Sequence, residues 1–234
     1  NFWAHLESNQ LKLSLDFSGV SLHQRGYRQK QGPTSLKENL AAALLWQCGW
    51  PIKAKNGAAL LDPMCGSGTI LAEGLLMAAD WAPGLIRKDF GFQSWSGFEA
   101  GTWKRLRQEA IERRADGLED LPPIIGGDHA DQAIEQTKNN LQRIGILDHV
   151  QLESKELALW APNQDRGLLL CDPPYGERTG QTSEIKKIYR TLGQLRQQRF
   201  LNWEFSVILA EESPWEELQL RYDKRYPFLN GALP

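Results

Sequence analysis

The tetrapeptide Asp172-Pro173-Pro174-Tyr175 directly follows an all-apolar stretch, Leu168 to Cys171, that predicts a buried strand. Two prolines with an aromatic are hard to explain as ordinary turn chemistry. Prolines have no N–H and little freedom, so they form a rigid corner whose carbonyls can accept hydrogen bonds. Such a corner can hold a planar amine. Asp172 and the Pro173 carbonyl would accept its two N–H bonds, and Tyr175 would stack on the ring that carries it.

A second motif, Asp62-Pro63-Met64-Cys65-Gly66-Ser67-Gly68-Thr69, stands between the apolar run Ala58 to Leu61 and a helical apolar spacing from Thr69 to Ala79. The order predicts strand, tight turn and helix. Glycines let the backbone pass close under a ligand, and the first helical N–H groups point at it. There is no Gly-Lys-Ser/Thr ending, and Leu71 occupies the third-glycine position of a dinucleotide fingerprint.

An acid followed by Gly-x-Gly resembles instead motif I of the Rossmann-like methyltransferases. That resemblance implies that the motif from Asp62 to Thr69 holds the methionine part of S-adenosylmethionine (SAM). An ordinary tight turn between strand and helix is the alternative.

Two further strand ends carry acids. The segment Ile124 to Asp128 predicts the second strand, and a carboxylate there can accept from both hydroxyls of a ribose. His129 would lie beside adenine, or would simply face solvent. A third strand, Val150 to Leu152, leads to Glu156, which in this fold would accept the adenine amino group.

A helix is predicted before the first core strand, because Ser35 and Glu38 have capping-box spacing and Leu36, Leu40 and Leu44 recur at helical intervals. The pattern stops at Gly49 and Pro51. In many methyltransferases a helix here closes over the methionine carboxylate of SAM. Ordinary capping explains Ser35 equally well. The residues placed for the cofactor role are Thr34, Ser35 and Lys37.

Length and composition bound the possibilities. A chain of 234 residues with 41% hydrophobic content suits one α/β domain plus an appendage. The net charge of −2 offers no overall attraction to nucleic acid, so such binding would depend on local patches. Three widely spaced cysteines predict neither disulfides nor structural zinc, and no metal site is expected. No apolar run approaches ~18 residues, and the sequence does not open with a basic, apolar, small-residue leader, which predicts a soluble intracellular protein.

The outer parts of the chain are less distinctive. Residues 1–33 lack an initiating methionine and alternate like a strand, which predicts a β extension of an excised fragment. The run Arg25-Gly26-Tyr27-Arg28 is either a hairpin edge or an RNA contact. A charged helix from about Ala100 to Ala115 should end at Gly117, and its charges favour a solvated face over an RNA-binding one. The remaining expected elements are a helix at Glu184 to Arg199, a strand at Phe205 to Ala210, and a closing strand pair at Leu220 to Leu233 with a turn at Asn230-Gly231.

Several motifs taken together resemble one family, the THUMP-associated bacterial 23S rRNA guanine-N2 methyltransferases. The similar stretches are Leu61 to Thr69, Ala79 to Leu85, Ser18 to Arg28 and Pro173 to Arg178. The chain departs from the family where Asp172 replaces an Asn and where Ala130 replaces a second acid.

The resemblance implies a Rossmann-like class I methyltransferase, an α/β fold with a mostly parallel seven-stranded sheet, helices on both faces and a short N-terminal β-hairpin. It implies an extension over 1–33 and a SAM-dependent methyltransferase domain over 34–234. The expected reaction is methylation of a guanine N2 amine in 23S rRNA in the cytoplasm. The expected partners are an upstream THUMP domain and a second, downstream methyltransferase domain, with no membrane. The expected RNA contacts are Arg25, Tyr27, Arg28 and Arg178.

Two other functions stay open at this point. An adenine-N6 methyltransferase on DNA or RNA shares the Asp-Pro-Pro-Tyr corner but needs a pocket for another base edge. An inactive methyltransferase-like RNA-binding scaffold is the second, although such proteins usually lose the glycine turn or the Pro-Pro-aromatic corner, and both are intact here.

Overall fold

The chain opens with an antiparallel hairpin of two strands, β1 (Phe2–Glu7) and β2 (Gln10–Leu15). The structure is a computed structural model that describes residues 2–28, 36–175 and 182–229. Every residue of both strands is exposed. The register pairs apolar residues on one side of the ribbon, and we call these six residues the apolar hairpin face: Phe2, Ala4, Leu6, Leu11, Leu13 and Leu15.

Five further strands form a wholly parallel sheet. They are β3 (Ala59–Asp62), β4 (Ile124–Asp128), β5 (Gln151–Ser154), β6 (Gly167–Cys171) and β7 (Glu204–Val207). The order across the sheet is β5-β4-β3-β6-β7, and every pairing is parallel. The order reverses between β4 and β6, on either side of β3. Ligands of open α/β sheets bind outside the carboxyl ends of the strands at such a reversal.

In the described parts of the chain, six α-helices connect or flank these strands. They are α1 (Glu38–Gln47), α2 (Trp50–Lys55), α3 (Thr69–Ala78), α4 (Ala100–Glu119), α5 (Asp131–Arg143) and α6 (Thr182–Gln198). Successive strand residues point to opposite faces of the sheet. Leu60 therefore packs in the core formed with α1, α2, α3 and α5, whereas Leu61 packs in the core formed with α6. The expected α/β architecture with helices on both faces is confirmed.

The strand number differs from the seven expected, because the described residues form five in this sheet. The predicted closing pair is wrong for residues 220–229, which contain no strand; residues 230–234, with the proposed turn at Asn230-Gly231, lie outside the described ranges. Tyr222 and Tyr226, within this stretch, are exposed. Pro227 has no N–H to give to a ladder.

Two predicted helix boundaries were also wrong. Gly117 lies inside α4, where a Cβ would come within 2.1 Å of the Ala79 carbonyl oxygen, so this glycine permits close packing and does not end the helix. The N-cap of α1 is Lys37, with no side-chain cap, so the helix begins later than a capping box at Ser35 predicts; Ser35 itself lies outside the described residues. Glu38 bonds instead to Arg28.

Candidate active site

Asp62 is the last residue of the central strand β3, and it is fully buried at the head of the glycine turn. One of its oxygens accepts the Met64 N–H at 3.2 Å, which fixes the carboxylate to the turn that follows. Burial raises the pKa of Asp62 well above its usual value, and the neighbouring charges of Asp172 and Asp128 raise it further. A cationic ligand placed here would relieve that penalty, because an opposite charge favours the carboxylate.

The turn after Asp62 depends on its two glycines. Gly66 and Gly68 have φ values of +54° and +76°, in the left-handed region that side chains rarely adopt. A Cβ on Gly68 would also lie 2.6 Å from the Thr137 methyl carbon, whereas one on Gly66 would meet nothing within 4 Å. The open side of Gly66 leaves room for a ligand, as a cofactor turn requires. Thr69 then begins α3, whose first N–H groups lack intrahelical acceptors.

Asp128 ends β4, beside β3, and its carboxylate is tied to the same turn. One oxygen accepts the Gly66 N–H at 3.1 Å, and the other accepts the Ala130 N–H at 3.0 Å. The side chain remains 13% exposed, and a carboxylate has about four acceptor sites, so capacity remains for ribose hydroxyls. The exposed His129 ring lies with its Nδ1 3.3 Å from Asp128. Glu156 is exposed, two residues beyond the carboxyl end of β5.

Asp172 follows β6 on the other side of β3, so acids end three neighbouring strands. Burial raises the pKa of Asp172 to about 7. Its Oδ1 is buried and finds no hydrogen-bond partner in the part of the chain that the structure describes. A buried acceptor without a donor is costly, so this oxygen suits a ligand that brings an N–H. Pro173 is buried, whereas Pro174 and Tyr175 are partly exposed.

The three acids converge without forming a metal centre, since the described residues include no group of three or more His, Cys, Asp or Glu side chains placed to hold an ion. The three acids stand at the carboxyl ends of neighbouring strands, and the charges of Asp172 and Asp128 both raise the pKa of Asp62. They therefore share one region at the edge of the sheet. Burial, followed by the charges of Asp172 and Glu212, also raises the pKa of Tyr175. The Tyr175 phenol therefore lies near the Asp172 carboxylate.

Two of the four predicted RNA contacts, Tyr27 and Arg28, have buried side chains. Tyr27 is fully buried, and its hydroxyl donates to Glu73 at 3.1 Å, so it cannot stack on a base. Arg28 and Glu38 form an ion pair at 2.8 Å with both side chains 2% exposed. Arg25 pairs with Glu73 at 3.3 Å. Glu38 lies in α1 and Glu73 lies in α3, so these contacts attach the N-terminal segment to both helices. Each buried charge is also given a partner of opposite sign.

Several predicted residues cannot be placed. Thr34, Ser35 and Arg178 lie outside the described ranges. Lys37 is described and partly buried at the start of α1. The structure does, however, reveal two residues whose link to the turn sequence reasoning missed. Thr137 and Asn140 of α5 are buried and bond to the glycine turn. The sequence feature that could have identified them is their spacing, because both polar residues stand at the helical intervals that also place Ile134 and Leu141 in the core.

Fold and site together define a Rossmann-like methyltransferase. A family model for RMKL-like methyltransferase domains, UPF0020, matches residues 25–234, and the chain belongs to this family. Among the described residues no helix is both long and apolar enough to cross a bilayer.

Named relatives agree with this assignment. The ribosomal RNA large subunit methyltransferases K/L of Pseudomonas paraeruginosa and Pseudomonas aeruginosa are each 46% identical over 233 residues, which is 98% of this chain. The chain spans about a third (32%) of the length of each.

Solved structures show the same fold. A putative methyltransferase complexed with SAH, SMU.472, has a TM-score of 0.87 and 29% identity, covering 99% of this chain and 59% of that one. A protein described as a predicted N6-adenine-specific DNA methylase from Listeria monocytogenes has a TM-score of 0.85 and 30% identity, covering 95% of this chain and 57% of that one.

Proposed function

We propose that this chain is the catalytic domain of a SAM-dependent enzyme that methylates the N2 amine of a guanine in 23S rRNA in the cytoplasm. The observation that carries the proposal is the buried Oδ1 of Asp172, which has no hydrogen-bond partner among the described residues. It lies at the start of the Pro-Pro-Tyr corner and beside the acids that end β3 and β4. Membership of the methyltransferase family supports the reaction class. The relatives named as ribosomal RNA methyltransferases support the substrate.

The residues fit the cofactor on three counts. The glycine turn is open at Gly66, Asp62 is a buried acid suited to a cation, and Asp128 has acceptor capacity for ribose hydroxyls. The turn from Asp62 to Thr69 would hold the methionine part. Asp128, His129 and Glu156 would hold the nucleoside, and Lys37, with Thr34 and Ser35, would face the methionine carboxylate. When bound, SAM supplies an electrophilic methyl group on a sulfonium.

The chain's own residues would then act by positioning the amine. The Asp172 carboxylate and the Pro173 carbonyl accept its two N–H bonds, Pro174 keeps the corner rigid, and Tyr175 stacks on the base. With both N–H bonds held, the lone pair, otherwise conjugated into the ring, would be free to form an N–C bond to the methyl group that SAM would supply, in exchange for that group's bond to sulfur, and the surplus proton would leave to solvent. Preorganised acceptors and orientation supply the rate enhancement in this mechanism.

Most of the contacts to the RNA must come from parts of the longer protein outside this candidate active site. Two of the expected RNA contacts, Tyr27 and Arg28, have buried side chains, and the ammonium of Lys186 in α6 lies 3.9 Å from Glu217. We propose that the longer protein supplies a THUMP domain upstream of residues 1–33 and a second methyltransferase domain downstream. The threefold greater length of the relatives leaves room for both. The exposed apolar hairpin face supports a packed neighbour, because a lone two-stranded hairpin is marginal in water.

An adenine-N6 activity is the second candidate, favoured by the description of the Listeria protein. One experiment separates the two. Labelled SAM and 23S rRNA from cells lacking the modification are incubated with the chain, and the RNA is digested to nucleosides. We expect N2-methylguanosine with the wild type and none with Tyr175→Ala, while Tyr222→Ala, a change at an exposed tyrosine of the tail, keeps the activity.

The alternatives predict different outcomes of this assay. Labelled N6-methyladenosine would establish the second candidate and overturn the first. A protein that binds RNA and transfers no label, even with its upstream segment restored, would be the inactive scaffold.

A further inference from the structure

Two buried polar side chains of α5 face the glycine turn across the gap between helix and strand. Thr137 is 0% exposed and Asn140 is 4% exposed, and they lie three residues apart, on one face of the helix. Ile134 and Leu141 are apolar residues buried in the same helix. A polar side chain at such a position is costly unless it finds a hydrogen-bond partner.

Both side chains find their partners in the turn. The Thr137 hydroxyl donates to the Gly66 carbonyl at 2.9 Å, and the Asn140 amide donates to the Ser67 carbonyl, also at 2.9 Å. A peptide unit is planar and trans, so fixing a carbonyl also fixes the N–H of the next residue in the opposite direction. The two bonds therefore set the planes of consecutive peptides, and the Ser67 N–H points away from α5.

Other bonds hold the same turn to β4. The Cys65 N–H donates to the Gly127 carbonyl at 2.8 Å, and the Gly66 N–H donates to Asp128. The turn is thus fixed on its carbonyl side by α5 and on its N–H side by the end of β4. Because these contacts all come from the protein itself, the turn can keep its shape without a ligand.

We propose that Thr137 and Asn140 are positioning residues that hold the cofactor turn in its binding geometry before SAM arrives. The inference rests on the proposed function, because it assumes that this turn binds SAM. A site that is already ordered loses less conformational freedom on binding, so affinity increases. Neither side chain is assigned a contact with the cofactor; each acts through the turn.

Matched variants separate this role from simple core stability. Thr137→Val removes the hydroxyl at nearly constant shape, and Thr137→Ser keeps the hydroxyl. Asn140→Leu removes the amide, and Asn139→Leu makes the same change at the preceding, exposed position, whose amide bonds to Glu135 of the same helix. Calorimetry with SAM and with SAH gives the dissociation constants, and thermal unfolding gives the stability of each variant.

We expect Thr137→Val and Asn140→Leu each to weaken SAM binding by about tenfold or more, the range expected when a buried carbonyl loses its donor. Thr137→Ser should remain within about threefold of the wild type, and Asn139→Leu should match it, since neither change removes a bond to the turn. In steady-state assays the KM for SAM should rise by a larger factor than kcat falls. Lower stability with unchanged SAM and SAH affinity would overturn the inference and leave only a structural role.

A measurement on the wild type keeps the test decisive if the apolar variants do not fold. In hydrogen exchange without SAM, the amides of Gly66 and Gly68 should already be protected, because their acceptors are Asp128 and the Cys65 carbonyl. Protection that develops only after SAM is added would refute preorganisation. Failure of the wild type and of Asn139→Leu to bind SAM at all would overturn the cofactor assignment itself, an outcome distinct from a selective effect of α5.

Discussion

Replacing Asp172 by Asn should remove the acidic limb from the pH dependence of methyl transfer. Burial raises the pKa of Asp172 to about 7, so near neutral pH the carboxyl group is divided between its two protonation states. The ionised form accepts an N–H through either oxygen, whereas the protonated form carries an O–H donor and its remaining oxygen accepts more weakly than a carboxylate or an amide oxygen. If Asp172 holds the target amine as an acceptor, activity must fall as the pH drops through this pKa.

The magnitude follows from the titration. A group with a pKa near 7 is roughly nine-tenths ionised at pH 8 and about one-hundredth ionised at pH 5, so the wild-type kcat/KM should fall about 100-fold between them. The quantity kcat/KM is the appropriate one, because it reports the pKa values of the free enzyme. An amide oxygen accepts equally at both pH values. Asp172→Asn should therefore keep substantial activity and lose most of this dependence.

The assay is single-site methyl transfer to 23S rRNA at subsaturating RNA, followed from pH 5 to pH 8.5 at constant ionic strength. Asp148→Asn provides the control, because Asp148 is exposed in the turn before β5, and this variant should keep the wild-type profile. An unchanged acidic limb in Asp172→Asn would show that another group titrates. Complete loss of activity in Asp172→Asn at every pH would show that the carboxylate does more than accept a hydrogen bond.

The other predictions concern binding and stability. Tyr175→Ala should lower methyl transfer by orders of magnitude while SAM affinity stays within about tenfold, because its expected contact is with the base; full turnover would contradict the stacking role. Asp128→Ala should weaken SAM binding by about 1–3 kcal/mol, and unchanged calorimetric affinity would remove it from the ribose site. Arg28→Met should cost about 3–5 kcal/mol in urea unfolding, since it leaves Glu38 buried without its partner, whereas Arg113→Met breaks an exposed pair and should cost about 1 kcal/mol or less. The isolated chain should bind an rRNA hairpin weakly, with affinity that falls steeply between low and physiological salt. Restoring the upstream segment should tighten that binding at least tenfold at the same salt, and equal affinity would place the recognition surface within this chain.

Most of the sheet and its site could be predicted because the signals are local. An apolar run that ends in an acid predicts a buried parallel strand and a polar group at its carboxyl end, and β3, β4 and β6 all have this form. Asp62, Asp128 and Asp172 follow from that pattern. Their meeting place follows from the rule that parallel strands present the same ends to one edge of the sheet.

The sequence by itself therefore determined the strand-end acids, the glycine turn and the Pro-Pro-Tyr corner, since each depends on residues adjacent in the chain. Only the tertiary structure decided which polar residues face inward. Tyr27 and Arg28 have the composition of an RNA contact, but long-range pairing with Glu73 and Glu38 buries them. Thr137 and Asn140 reach the glycine turn about 70 residues away in the chain. A buried polar group is stable only where another group forms a hydrogen bond or ion pair with it. Which group does so depends on how distant segments of the chain pack together.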